Sequence, residues 1–97
     1  MKVLFVCNQA QNRSRTAAEI FKDRFETKYA GLYSDAPVAK KELDWADTII
    51  VMEDSQRSEL AKRFPRTYLK KRILSLDVTD VYHYAQPELI NVLKEKM

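Results

Sequence analysis

The sequence predicts a small three-layer α/β domain with a four-stranded parallel sheet and helices on both faces. Two segments, Val3–Val6 and Thr48–Met52, are short and wholly apolar, as in strands that are covered on both sides. Segments with helical spacing of apolar residues lie between the apolar runs, so strands and helices alternate along the chain. The 97 residues, 45% hydrophobic and 32% charged, suit one globular domain spanning 1–97.

In the first third of the chain, the first strand is predicted to end at Cys7. The segment from Ser14 to Thr27 is predicted to be an amphipathic helix. Its apolar residues recur at intervals of three and four: Ala17, Ala18, Phe21 and Phe25. A second strand is expected from Tyr29 to Tyr33. Gly31, the sole glycine, indicates either a bulge or a close backbone approach in that strand.

The middle of the chain contains a helix, a strand and a second helix. Capping residues and a proline in Ser34–Pro37 predict a short helix from Val38 to Trp45. After the apolar strand, Asp54 or Ser55 can cap a helix that reaches Phe64 and is stopped by Pro65.

The last third of the chain completes the sheet. Arg72–Leu76 is predicted to be the fourth strand, followed by a loop over Asp77–Gln86. Pro87 then opens a final helix. In parallel sheets ligands bind beyond the carboxyl ends of the strands, where the turns at Asn8, Glu53 and Asp77 lie.

The charge and composition of the chain limit the classes of binding partner that we expect. With 17 basic and 14 acidic residues the formal charge is +3, which mildly favours anionic partners. The apolar run after Lys2 is too short for a signal sequence or a membrane span, so we expect a cytoplasmic protein without a membrane partner. One basic run has no aromatic residue among its charges and is interpreted as a solvated face and not as a nucleic-acid surface. It comprises Lys62, Arg63, Arg66, Lys70, Lys71 and Arg72.

Cys7 begins a motif with chemical meaning. It is the only cysteine, which excludes an intrachain disulfide, a thiolate zinc cluster and a paired redox motif. It is followed by Asn8, Gln9, Ala10, Gln11, Asn12, Arg13 and Ser14, giving C-x5-R-S between a strand and a helix. Five residues can form a ring of backbone N–H donors at a helix N-terminus, which suits a tetrahedral oxyanion.

The side chains of the motif fit the same chemistry. Arg13 can hold two oxygens of an anion in bidentate fashion. The donors and the cation favour the thiolate of Cys7, and the Ser14 hydroxyl can donate to its sulfur. The motif therefore predicts a nucleophilic thiolate at a phosphate site built from Asn8 to Ser14, with no metal or cofactor.

These residues resemble the active loop of low-molecular-weight protein tyrosine phosphatases, which have a flavodoxin-like α/β fold. Ala30-Gly31 and the segment from Ala46 to Glu53 are also similar to segments of that family, as is a Pro-Glu-Leu-Ile pattern near the end. Asp80-Val81-Tyr82 falls where the family has Asp-Pro-Tyr. The resemblance is to a short prokaryotic branch of predicted tyrosine phosphatases.

The resemblance implies a cysteine-dependent phosphomonoester hydrolase with a phosphocysteine intermediate. Cys7 would be the nucleophile, Arg13 would stabilise the phosphoryl oxygens and Asp80 would be the general acid, with Asp77 as the alternative acid. The implied substrate is a phosphorylated protein or a small aryl or alkyl phosphate. Tyr82, Tyr84 and Trp45 are candidates for an aromatic wall, although Trp45 is better explained as a half-buried helix residue.

The chain departs from the family pattern in its loop. Gln9 and Ala10 occupy positions where the family usually has Gly and Asn, and Val81 replaces the proline after the acid. If the loop needs a left-handed residue there, Ala10 is strained. A non-catalytic phosphate-binding module is therefore one alternative function.

Two further functions occur on similar folds. The phosphocarrier IIB components of sugar phosphotransferase systems have a cysteine at the end of the first strand, but typically lack the closing arginine. Arsenate reduction through an internal thiol cascade needs more cysteines than Cys7. His83, a lone histidine in a tyrosine-rich loop, is left without a role.

Overall fold

The computed structural model describes residues 1–97. The elements follow in the order β1 (Lys2–Cys7), α1 (Arg13–Ile20), β2 (Glu26–Gly31), α2 (Lys40–Trp45), β3 (Thr48–Val51), α3 (Asp54–Arg63), α4 (Pro65–Lys70), β4 (Arg72–Ser75) and α5 (Pro87–Lys96). The four strands form one sheet in the order β2-β1-β3-β4, and every pairing is parallel. The predicted four-stranded parallel α/β fold is confirmed.

The central strands of the sheet are the apolar ones. Every residue of β3 is buried, and only Lys2 of β1 is exposed, because both strands have neighbours on each side and helices on each face. The edge strands β2 and β4 alternate more with solvent. The register pairs Cys7 with Gly31 and Val6 with Val51, so the strands end together at one edge of the sheet.

Side chains of β1 point alternately into two cores. Val3, Phe5 and Cys7 belong to the core that includes residues of α1 and α5. Leu4 and Val6 belong to the core on the other face, which is completed by residues of α2 and α3. The sheet is thus covered on both faces, as predicted.

The predicted end of the first helix is wrong. α1 ends at Ile20 and not at Thr27, because β2 begins at Glu26, and the Glu26 N–H donates to the Met1 carbonyl (3.0 Å) as the strand joins the sheet. Phe21 and Phe25 have helical spacing but lie in the connecting turns, where both pack against the core. Pairing with β1 outweighs the local helical pattern.

Other boundaries also differ from the sequence prediction: β3, α3 and β4 each end one residue early, at Val51, Arg63 and Ser75. β2 runs from Glu26 to Gly31 where Tyr29–Tyr33 was expected, and α2 begins at Lys40 where Val38 was expected. Pro65 does end α3, and it also opens α4, because proline is favoured in the first turn of a helix. The helix α4 was not predicted from the sequence. None of the helices combines the length and the apolar composition that a membrane crossing requires.

Candidate active site

The thiol of Cys7 lies at the carboxyl end of the central strand β1, at the floor of a small cavity. Its Sγ is 3.0 Å from the Ser14 Oγ and accepts a hydrogen bond from the Ala10 N–H at 3.2 Å. Ser14 is fully buried in the first turn of α1. A hydroxyl and an amide therefore both contact the sulfur, and each can donate to a thiolate.

The loop between β1 and α1 curls around this cavity. The cavity has a volume of about 100 Å³ and is lined by Cys7, Gln9, Gln11, Asn12, Arg13 and Asp80. All of these except Asp80 come from the C-x5-R segment, so the segment encircles a space as the motif predicted. The lining is polar apart from the cysteine, which suits a small anion.

Two hydrogen-bond acceptors hold the guanidinium of Arg13. It is 1% exposed, and its Nη1 donates both to a carboxylate oxygen of Glu53 and to the Val78 carbonyl at 2.7 Å. Both bonds are made by Nη1, so Nη2 has no hydrogen-bond partner in the structure and remains available to a ligand. Arg13 thus lies at the end of the loop, beside a carboxylate that neutralises its buried charge.

Asp80 lies at the rim of the same cavity. Its Oδ1 is 3.7 Å from the Arg13 Nε, and its side chain is 58% exposed. Asp77, the alternative acid, does not line the cavity. The structure therefore brings Asp80, and not Asp77, to the predicted nucleophile.

Gly31 allows the loop to lie against the sheet. A Cβ at this position would be 2.8 Å from the Asn8 carbonyl oxygen, 2.9 Å from the Ala10 nitrogen and 2.9 Å from the Gln9 carbonyl carbon. The φ of Gly31 is not positive, so the glycine is required for space and not for its backbone freedom. Of the two explanations offered from the sequence, close backbone approach is the correct one.

Ala10 takes the left-handed conformation that the comparison of loops anticipated. Its φ is +60°, a value that an alanine adopts at a cost of about 1–2 kcal/mol. This conformation directs the Ala10 N–H at the sulfur of Cys7. The loop therefore has a strained residue at Ala10, and part of the folding free energy is spent to maintain its shape.

Solved structures with the same architecture include several phosphatases. The low-molecular-weight protein tyrosine phosphatase from T. tengcongensis has a TM-score of 0.80 at 20% identity, over 99% of this chain and 92% of that one. The tyrosine phosphatase Wzb from Escherichia coli K30, solved with phosphate, has a TM-score of 0.79 at 13% identity, over 98% and 91%. The YwlE arginine phosphatase from Geobacillus stearothermophilus has a TM-score of 0.71 at 20% identity, over 98% and 82%.

The chain has the fold of the low-molecular-weight phosphatases. The resemblance noted in the sequence is thus confirmed at the level of the fold. No family model matches the chain, and no curated protein matches it.

Within this phosphatase fold, three residues predicted to bind phosphate do not line the cavity: Asn8, Ala10 and Ser14. Asn8 accepts a hydrogen bond from Gln56 instead, at 3.2 Å. Ala10 and Ser14 act on the sulfur. Asn8 and Ser14 therefore support the loop and the thiol through their side chains, and Ala10 does so through its backbone N–H. The lining side chains of the loop are those of Gln9, Gln11, Asn12 and Arg13.

The three candidates for an aromatic wall do not line the cavity. Trp45 packs against the core beneath α2, with the Lys28 ammonium 4.5 Å from its ring centroid. Tyr82 packs against the other core, and the ring of Tyr84 lies under the Arg15 guanidinium at 4.2 Å. None of them borders the cavity of the phosphatase-like loop. The half-buried interpretation of Trp45 is the correct one.

Two supporting residues were missed in the sequence. Glu53, which holds Arg13, follows β3 at the same edge of the sheet, so an acidic residue after an apolar strand was the available signal. Gln56 is 1% exposed and accepts hydrogen bonds from the Met52 and Glu53 amides at 2.8 and 3.0 Å. Through its bond to Asn8 it ties the start of α3 to the loop, and no short motif marks it.

Two exposed ion pairs away from the cavity have shifted pKa values. A hydrogen bond with Glu19 raises the pKa of Lys22, and a hydrogen bond from Lys40 lowers the pKa of Asp44. Both are solvated ion pairs on or next to helices, of a kind that contributes little to stability.

Proposed function

We propose that this protein is a cysteine-dependent phosphomonoester hydrolase of the protein tyrosine phosphatase type. The observation that supports this most is the environment of one sulfur. Cys7 Sγ contacts the Ser14 hydroxyl and the Ala10 amide at the floor of a cavity whose walls include Arg13 and Asp80. A nucleophile, a cation for the phosphoryl oxygens and a proton donor thus border one anion-sized space.

In the first step the Cys7 thiolate attacks phosphorus in line, forming the S–P bond as the P–O bond to the leaving group breaks. Arg13 and the loop amides stabilise the charge on the equatorial oxygens. Asp80, protonated, gives its proton to the leaving oxygen. The products of this step are the free alcohol or phenol and a phosphocysteine.

In the second step Asp80, now a carboxylate, takes a proton from a water molecule that attacks the phosphocysteine. The S–P bond breaks, the thiolate is regenerated and inorganic phosphate leaves. The buried contact between Glu53 and Arg13 keeps the guanidinium in place through both steps, so no reorganisation is needed. The substrate class is a phosphorylated protein or a small aryl or alkyl phosphate.

The test is phenol release from phenyl phosphate by the wild type and three variants. Cys7→Ser should abolish turnover while phosphate binding, measured by calorimetry, remains. Asp80→Asn should lower kcat by about 10²–10⁴-fold as expected for loss of a general acid. Asp77→Asn is the matched control and should keep kcat. Hydrolysis by Cys7→Ser, or an equal loss in Asp77→Asn, would overturn the assignment.

One observation favours a second function, a phosphate-binding module without turnover. The left-handed Ala10 shows that the loop shape is maintained against a local preference. An anion that binds all the loop amides would supply the compensating free energy even in a protein that no longer hydrolyses esters. Phosphate binding by a wild type that releases no phenol would establish this function.

A further inference from the structure

The segment that bears Asp80 has no helix or strand of its own. Residues 76–86 run between β4 and α5 and are held by individual contacts. Before Asp80, the Val78 N–H donates to the Met52 carbonyl at 2.7 Å, and the Val78 carbonyl accepts from Arg13. Directly after Asp80, Val81 is 70% exposed. The position of the Asp80 carboxyl therefore depends on where the chain is next fastened.

After Asp80, Tyr82 packs against the core, and the first hydrogen bond to another element is made to the helix that follows the phosphate-binding loop. The Ala85 N–H donates to the Thr16 Oγ at 2.9 Å, and Thr16 is fully buried in α1. Beside it, Arg15 of α1 lies over the ring of Tyr84. Because α1 begins at Arg13, the same short helix supports the phosphate-binding guanidinium and fastens the Asp80 segment.

The backbone of Ala85 shows that this contact constrains the chain. Its φ is +57°, which alanine avoids unless the surroundings impose it. No part of the proposed chemistry needs a hydroxyl at Thr16, and its own backbone N–H already bonds to the Asn12 carbonyl. The Thr16 Oγ instead accepts a hydrogen bond from the Ala85 N–H, which lies outside any helix or strand and so has no partner in regular secondary structure.

We propose that Thr16 is a positioning residue that holds the Asp80 carboxyl over the Cys7 cavity through the Ala85 amide. This rests on the proposed function, in which Asp80 gives its proton to the leaving oxygen. Without the hydroxyl, the segment after Asp80 loses its hydrogen bond to α1, and its left-handed residue is free to relax. The carboxyl then spends less time within reach of the leaving oxygen, and a displacement of about 1 Å can cost on the order of 10²-fold in rate.

The first measurement does not require activity. Amide hydrogen exchange of Ala85 is compared in the wild type, Thr16→Val, which has the same shape without the hydroxyl, and Thr16→Ser, which restores it. Exchange should rise by about tenfold in Thr16→Val, the factor for one lost hydrogen bond, and return towards the wild-type value in Thr16→Ser. Thr27→Val is the matched control, because the Thr27 hydroxyl donates to the Ala18 carbonyl of the same helix at 2.8 Å without touching the Asp80 segment.

The second measurement separates positioning from general loss of structure. Phenyl phosphate has a poor leaving group and needs proton donation, whereas p-nitrophenyl phosphate needs it much less. Thr16→Val should lower kcat about tenfold or more for phenyl phosphate and clearly less for p-nitrophenyl phosphate. Added to Asp80→Asn, it should have no further effect, because the group that it positions is gone.

The outcomes are distinct from those for the proposed function. Unchanged Ala85 exchange in Thr16→Val, equal losses with both substrates, or a further loss on top of Asp80→Asn would each overturn the positioning role. If all proteins, wild type included, hydrolyse neither ester, the proposed function fails. The positioning claim fails with it, even if exchange shows that Thr16 fastens the segment.

Discussion

The replacement Gly31→Ala adds one methyl group where the sheet touches the loop. The new Cβ would lie 2.8 Å from the Asn8 carbonyl oxygen and 2.9 Å from the Ala10 nitrogen. Both neighbours are backbone atoms of the loop, so neither can rotate away as the tip of a side chain would. The loop and β2 must therefore separate.

The size of the effect follows from these distances. To reach an ordinary contact of about 3.4 Å, the loop backbone at Asn8 must retreat by about 0.6 Å. Overpacking of this kind typically costs 1–3 kcal/mol, so we expect Gly31→Ala to lower the free energy of unfolding by about 2 kcal/mol. Since the Ala10 N–H contacts the Cys7 sulfur, the same shift should lower kcat/KM by about 10–100-fold.

The assay is urea denaturation of the wild type and Gly31→Ala, together with phosphate binding and phenyl phosphate hydrolysis. Glu26→Ala, at the exposed start of the same strand, is the control and should be neutral within about 0.5 kcal/mol. If Gly31→Ala binds phosphate as tightly as the wild type and keeps its stability, the loop is not packed against β2 as described. That result would refute the spatial explanation for the glycine.

Three further predictions concern the loop and its supports. Ala10→Gly should raise the free energy of unfolding by about 0.5–1 kcal/mol, because the backbone strain that it removes exceeds the effect of the entropy that the unfolded chain gains. A loss of stability in urea denaturation would contradict this. Ser14→Ala should slow iodoacetamide alkylation of Cys7 at pH 7 by about tenfold, since it removes a hydroxyl that can donate to the reactive thiolate. An unchanged alkylation rate would exclude that donation. Glu53→Gln should lower the free energy of unfolding by about 1–3 kcal/mol, because the buried Arg13 guanidinium keeps an acceptor but loses its counter-ion. A variant that is more stable in thermal denaturation would contradict the pairing.

Two features that the sequence predicts without the family resemblance have a geometry that is set locally. Cys7 and Arg13 are joined by one short loop between a strand and a helix, so their spacing alone predicts a shared centre. The central strands were also predictable, because β3 is buried on both faces and leaves an unbroken apolar run. In both cases a pattern of fewer than ten residues contains the whole physical cause.

The residues and boundaries that the sequence missed depend on contacts between distant segments. Phe21 and Phe25 have helical spacing, yet the helix ends before them because the chain joins the sheet at Glu26, whose N–H donates to the Met1 carbonyl. Glu53 faces Arg13 only because β3 lies next to β1 in the sheet, an order that the sequence alone did not provide. Glu53 therefore looks, in sequence, like any acidic residue in the turn before a helix.

The choice between Asp77 and Asp80 shows how such long-range contacts select a functional group. Asp77 takes a left-handed φ of +56°, which aspartate tolerates better than most residues. Its carbonyl accepts a hydrogen bond from Lys96 of α5, and the chain then turns so that Val78 enters the core at 1% exposure. Because Val78 is also fastened to Met52 and Arg13, Asp80 is the carboxyl that emerges at the cavity. Asp77 thus contributes the turn, and the buried anchor Val78, two positions before Asp80, determines which of the two acids borders the cavity.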